Sequence, residues 1–224
     1  MTVQMTDVWA GYGSGVVLHG VTIALPGRGL VAVLGRNGAG KTTMLRVVTG
    51  LLPAAKGDVI VLGHDVRRVR TEQLARAGVA YMAQEGGVFN SLTVGENLML
   101  AGRNGIERVL DLFPALRARA RQRAGTLSGG ERKMLGLARI LASDPKLCLL
   151  DEPTEGLWED VVEDITAILG QLKRDRAVLL VEQNLRMALG VADYVYVLAG
   201  GRIAVEGTPE QVQRQRDLEH FVTI

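Results

Sequence analysis

The sequence predicts an α/β fold built on a largely parallel sheet, with an antiparallel β-region near its start. Three observations carry this. All-apolar runs at 30–34, 147–150 and 177–181 are separated by helical stretches, the alternation expected of parallel strands covered on both faces. The first of these runs leads into a glycine-rich turn and then a helix start. Residues 3–8 and 16–25 instead show short alternating apolar runs punctuated by Gly11, Gly13, Gly15 and Gly20, the pattern of a hairpin or meander. At 224 residues and 47% apolar, the chain can build one large domain, or one domain with a modest subdomain.

Along the chain, Trp9 and Tyr12 sit near the first turn, where an aromatic ring either packs across the strands or is free to stack on a base. A helix is expected over 43–50, a strand over 57–62, and a turn at His64 and Asp65. Residues 66–77 are polar and arginine-rich before strand character returns at 78–82. From Leu92 the pattern becomes helical, and Thr93 followed by Glu96 has the spacing of a capping box. Helix is expected to continue over 105–123 with a break near Pro114. On such a helix Arg117 and Arg121 would share one face, and Arg119 and Arg123 another. A solvated face is the plain reading of that cluster, and an anionic lipid headgroup the sharper one. A long helix follows to Leu141, closed by Asp144 and Pro145; a strand leads to Asp151 and Glu152; a helix covers 159–173. Strands at 194–198 and 202–206 bracket Gly200 and Gly201, and Arg214 and Arg216 fall on a solvated terminal helix.

Composition narrows the setting. The net charge of +2 gives no electrostatic reason to expect nucleic acid as a partner. Cys148 is the only cysteine, which rules out an internal disulfide and suits a reducing compartment; inside an apolar run it reads as core. His19, His64 and His220 lack metal-ligand spacing. Residues 1–8 do not resemble a signal peptide, and no apolar run reaches the roughly 18 residues of a membrane span. A soluble cytosolic chain is expected.

The chemistry concentrates in two places. Gly35, Arg36, Asn37, Gly38, Ala39, Gly40, Lys41 and Thr42 fit G-x-x-x-x-G-K-[ST], between an apolar strand and the helix that Thr43 begins. Glycines let such a loop turn its N–H groups onto a phosphate chain, the helix N-terminus adds donors and partial positive charge, and Lys41 would reach the β- and γ-phosphates. The Thr42 hydroxyl would hold Mg²⁺. Asp151 ends a buried strand, where ligands bind in open α/β sheets, and could share that Mg²⁺. Glu152, one residue on, could polarise an attacking water as general base.

Leu127, Ser128, Gly129, Gly130 and Glu131 resemble the signature of ABC-transporter ATPases, usually written L-S-G-G-Q. With the loop at 35–42, Gln84 and the acids at 151–152 in the same order, the resemblance spans essentially the whole chain. It implies a P-loop NTPase (RecA-like) core with an N-terminal antiparallel β-subdomain, made by 1–83 and 143–224, and an inserted α-helical subdomain at 84–142 that meets the membrane partner. It implies ATP sandwiched between two subunits: Ser128, Gly129, Gly130 and Glu131 of one chain would close on the γ-phosphate held by the other, identical or different, subunit. It makes Tyr12 the base-stacking aromatic, Gln84 the glutamine that senses Mg²⁺ and water, Glu152 the catalytic base, and Gln183 the occupant of the switch-histidine position. The expected partners are a second ABC ATPase subunit, transmembrane permease subunits and a solute-binding protein, with the chain on the cytoplasmic face of the membrane. Three residues depart from the common pattern: Glu131 for glutamine, Trp158 for the usual aspartate, and Gln183, which can donate to a phosphate oxygen but cannot become cationic. The runs Val181-Glu182-Gln183-Asn184 and Glu155-Gly156-Leu157 are similar to ATPases of branched-chain amino acid and urea/amide importers. The rival resemblances are lipid, lipopolysaccharide or drug exporters, and soluble ABC proteins of DNA repair or translation.

Overall fold

The computed structural model describes residues 1–102, 105–215 and 218–222. Its strands are β1 (Val3–Tyr12), β2 (Gly15–Leu25), β3 (Gly29–Leu34), β4 (Lys56–Val61), β5 (His64–Asp65), β6 (Val79–Met82), β7 (Leu147–Asp151), β8 (Ala177–Glu182), β9 (Tyr194–Ala199) and β10 (Arg202–Gly207). Its helices are α1 (Lys41–Val48), α2 (Thr71–Ala77), α3 (Val94–Ala101), α4 (Ile106–Leu112), α5 (Pro114–Ala118), α6 (Gly129–Ala142), α7 (Glu159–Leu172), α8 (Leu185–Val191), α9 (Pro209–Gln213) and α10 (Leu218–Val222).

The strands form two sheets. A six-stranded sheet runs β10-β9-β3-β8-β7-β6, parallel from β9 to β6 with β10 antiparallel at its edge. A four-stranded antiparallel sheet runs β2-β1-β4-β5. The central strands β3, β7 and β8 are apolar up to the acids that end β7 and β8, because both their faces are buried. Leu30, Ala32 and Leu34 enter one core with Cys148, Leu150, Val178 and Leu180, covered by α3, α6, α7 and α8. Val31 and Val33 enter the other with Leu147, Leu149 and Leu179, closed by α1 and the antiparallel sheet. Burial pushes the Cys148 thiol up to about 12, so the cysteine is a core residue.

This order brings the carboxyl ends of β3, β8, β7 and β6 side by side, with Leu34 opposite Glu182 and Val181 opposite Asp151. The segment between β6 and β7 holds α3 to α6. Its entry is fixed by Asn97, fully buried, whose side chain accepts from the Phe89 N–H at 2.9 Å and donates to the Phe89 carbonyl at 3.0 Å. Gly136 on α6 lets the backbone at Gly86 approach so closely that a Cβ there would lie 2.5 Å from the Gly86 oxygen.

Two sequence expectations are corrected. Helix ends at Ala118: residues 119–123 turn back, and the carbonyls of Ala120 and Gln122 accept from Gly95 and Val94 at the start of α3. The arginines therefore share no helical faces; Arg117 pairs with Glu107 and Asp111, and Arg119 with Glu131. His64 and Asp65 are a short strand on β4, and the turn lies just before them, where Leu62 and Gly63 take positive φ. Arg214 caps the end of α9, whereas Arg216 lies outside the described residues.

Candidate active site

Gly35 follows β3 directly. A side chain there would place its Cβ 2.4 Å from the Leu198 carbonyl oxygen, so the loop must begin with glycine. Gly38 and Gly40 take positive φ, 81° and 108°, which L-residues with side chains avoid. No side chain caps α1 among the described residues, so the N–H groups of its first turn stay available to an anion. Gly35→Ala forces a backbone shift, and overpacking of this kind costs about 1–3 kcal/mol. We expect a lowered melting temperature together with weakened ATP binding, read by calorimetry on the same protein.

Lys41 is almost fully buried and turned back onto its own loop. Its Nζ donates to the carbonyls of Gly35 at 2.6 Å and Arg36 at 3.1 Å and pairs with Glu152 Oε1 at 2.8 Å. Glu152 is itself buried and sits in the left-handed region at φ 46°, a conformation rare for a residue with a side chain. Its N–H donates to Val181 on β8 at 3.0 Å, and its carbonyl accepts from Lys133 Nζ on α6 at 2.9 Å. Gln84 reaches the same carboxylate, donating to Glu152 Oε2 at 3.3 Å and to Glu155 Oε2 at 2.6 Å.

Asp151 is buried between two hydroxyls. Thr42 Oγ1 donates to Oδ1 at 3.3 Å and Tyr81 OH to Oδ2 at 3.0 Å. Burial raises its carboxyl above the ordinary value, and the two hydroxyl hydrogen bonds oppose that rise. The convergence of a threonine hydroxyl and a single carboxylate fits Mg²⁺, which takes hard oxygen ligands, commonly one or two carboxylates completed by substrate phosphates and water. A cleft of about 420 Å³ opens over these groups, lined by Val17, Arg36, Asn37, Gly38, Gly40, Lys41, Thr42, Thr43, Gln84 and Glu152. The loop, Gln84 and Glu152 thus meet at one cleft, and Asp151 joins it through Thr42; Ala39 is buried.

The remaining predicted residues are not among those lining this cleft. Tyr12 is exposed beside α1, its hydroxyl accepting from Arg46 at 3.0 Å, with the guanidinium 5.8 Å from the ring centroid. Gln183 follows β8, its N–H bonded to Glu182 Oε2 at 2.9 Å. Ser128 caps α6: its Oγ accepts from the Glu131 N–H, and Glu131 Oε2 accepts from the Ser128 N–H at 2.9 Å. Glu131 Oε1 also pairs with Arg119 at 2.8 Å. Trp158, at the start of α7, is 83% exposed.

The Ser128 N–H holds the Glu131 carboxyl below its ordinary 4.5 despite partial burial, with Arg119 adding to the effect. A depressed folded-state pKa contributes stability above the unfolded value and loses it as pH falls through the folded value. Glu131→Gln keeps the cap and removes this titration, so its melting temperature should fall less than the parent's between about pH 5 and pH 3.

Several contributors escaped the sequence reading. Tyr81 braces Asp151, and Lys133 reaches Glu152. Glu182, nearly fully buried, accepts from the N–H and hydroxyl of Thr154 and from the N–H groups of Gln183 and Asn184, tying the end of β7 to the end of β8. An acid closing an apolar strand, the signal that singled out Asp151, was equally present at Glu182.

Comparison with known proteins now bears on this geometry. The family profile described as "ABC transporter" matches residues 18–155, more than half of the chain. The chain belongs to the ABC transporter family. It is an ATP-binding subunit of the ABC type and an ATPase. It is 40% identical over 206 residues to the high-affinity branched-chain amino acid transport ATP-binding protein BraG of Pseudomonas aeruginosa, covering 88% of each chain. It is 35% identical over 223 residues to the lipopolysaccharide export system ATP-binding protein LptB of Haemophilus influenzae, covering 93% of this chain and 91% of that one. Among solved structures, an ATP-binding subunit of an ABC transporter superposes with a TM-score of 0.85 at 26% identity, covering 97% of this chain and 94% of the other. The P-loop NTPase fold of this ABC ATPase follows.

Proposed function

We propose that this ABC ATPase powers an importer for branched-chain amino acid-type or other small polar solutes. It would act at the cytoplasmic face of the membrane as a peripheral subunit; among its described residues no helix is long and apolar enough to cross a membrane. The observation that carries its chemistry is the convergence of Lys41, Thr42, Glu152 and Gln84 on one cleft, with Asp151 bonded to Thr42.

In this reading residues 35–43 bind the phosphates of ATP through loop N–H groups, the α1 N-terminus and the Lys41 ammonium. Thr42, Asp151 and Gln84 would hold Mg²⁺, which when bound offsets phosphate charge. Glu152 takes the proton of the water that attacks the γ-phosphorus, while the bond to the ADP oxygen breaks and its electron pair leaves with ADP. Tyr12 offers a ring to the base, and Gln183 a neutral donor to the γ-phosphate. Ser128, Gly129, Gly130 and Glu131 contact the nucleotide of a second ABC subunit. The helical segment at 84–142 meets permease subunits, and a solute-binding protein delivers the cargo.

Import is favoured over export by the higher identity to BraG than to LptB. The test is copurification with permease and binding protein from the same gene neighbourhood, followed by ATPase assays in proteoliposomes. Leucine-loaded binding protein should raise hydrolysis several-fold over the unloaded protein. Stimulation by lipopolysaccharide instead would replace this reading with export.

A further inference from the structure

Glu152 holds an unusual backbone conformation at the point where its carboxylate must be aimed. A residue with a side chain stays at φ 46° only when its surroundings over-determine that peptide. Both main-chain polar groups of Glu152 are pinned, by different elements. Its N–H is held by the Val181 carbonyl of β8, adjacent in the sheet, and its carbonyl accepts from the Lys133 ammonium at 2.9 Å and, at the longer distance of 3.3 Å, from the Glu155 N–H of the same turn. The first bond is part of the sheet framework. The shorter and charged bond to the carbonyl comes from one side chain on another helix, 19 residues away in sequence.

Lys133 is half-buried, and burial alone disfavours its charge; the carboxylates of Glu155, Glu182, Glu152 and Asp151 favour it. The lysine thus enters an acidic setting and spends its hydrogen bond on a main-chain oxygen rather than closing an ion pair. A charge-assisted bond to that oxygen fixes the orientation of the peptide, and with it the direction of the Glu152 side chain towards Lys41 and Gln84. Lys133 also stands about 6 Å along α6 from Gly129, at 1.5 Å per residue. A rigid turn of helix therefore joins Ser128, Gly129 and Gly130 to the backbone of Glu152 in the same chain.

We infer that Lys133 is a positioning residue for hydrolysis: it holds the Glu152 peptide in its left-handed conformation and ties the general base to the start of α6. The inference rests on Glu152 being that base. Through this tie, a partner's nucleotide seated at the start of α6 bears on the base of this chain, linking the two ATP sites of a dimer.

The test compares Lys133→Met, Lys133→Arg, Glu152→Gln and the double variant Lys133→Met/Glu152→Gln in the full chain. Steady-state ATPase is measured with ATP affinity by calorimetry and melting temperature. Losing one charged hydrogen bond from the base should lower kcat of Lys133→Met about tenfold or more. Its ATP affinity should stay within about twofold, because no phosphate contact is removed. Lys133→Arg, which keeps a cationic donor, should recover most of the rate, and the double variant should be no slower than Glu152→Gln alone. Should Lys133→Met not fold, Lys133→Gln is read by the same criteria. The inference is overturned by parental kcat in Lys133→Met. It is equally overturned by parallel losses of rate, affinity and melting temperature that arginine does not rescue, or by a double variant clearly slower than Glu152→Gln. Parental hydrolysis by Glu152→Gln would remove the base assignment and this inference together, whereas an inactive Glu152→Gln beside a fully active Lys133→Met removes this inference alone.

Discussion

Glu152→Gln should cut ATP hydrolysis by about 10²- to 10⁴-fold, the range that a positioned general base contributes. The substitution is close to isosteric, so the buried side chain keeps its volume, and the amide can still accept a hydrogen bond from Lys41. The loop at 35–43 is untouched. ATP affinity should therefore remain at the parental level or improve, because Lys41 no longer has a carboxylate competing with phosphate for its ammonium. A phosphate-release assay beside calorimetric titration separates the two quantities.

Lys41→Ala should act on the opposite quantity and also on stability. Hydrogen bonds to charged groups contribute about 1.5–3 kcal/mol each, so loss of the phosphate contact predicts ATP binding weakened about 10- to 100-fold or more. Lys41 is also the cation that neutralises Glu152, with the two side chains 4% and 7% exposed. Breaking a buried pair by removing one partner costs about 3–5 kcal/mol; the low end applies here, because the carboxylate borders a cleft that water can enter. For a chain of this size that corresponds to a melting temperature lower by roughly 6–12 °C. Lys41→Ala/Glu152→Gln should regain much of this loss, since it removes the stranded carboxylate, while ATP binding stays weak. Thermal melts of the four proteins form a double-mutant cycle on this one pair.

The parts of this fold legible in the sequence are those written as contiguous patterns. The central strands read as unbroken apolar runs because the parallel sheet is buried on both faces, and the loop at 35–42 reads as a motif because one short turn must deliver backbone donors, a lysine and a hydroxyl together. Asp151 was legible because it closes such a run. What escaped depends on contacts between distant segments. Tyr81 reaches Asp151 only because β6 and β7 pair in register, and Lys133 looks like any solvent-facing lysine on a helix until α6 packs beside the end of β7. The stretch at 119–123 shows the opposite error. Its arginines are good helix formers, yet pairing of its carbonyls with the start of α3 outweighs that propensity, and one of the arginines becomes the partner of Glu131. The strand at His64 and Asp65 was missed for a similar reason: two residues are too few to show a period, and only pairing with Ile60 and Val61 defines them.

Lys41 and Glu152 are bound to one another in the cleft, and bound ATP should part them. The most direct measurement is a crystal structure of Glu152→Gln grown with Mg²⁺ and ATP, read at the Lys41 Nζ. The ammonium should have left the residue 152 side chain and the Gly35 and Arg36 carbonyls and lie within hydrogen-bond distance of β- and γ-phosphate oxygens, with the phosphates wrapped by residues 35–43. Nucleotide bound elsewhere, with Lys41 still folded onto its own loop, would contradict this.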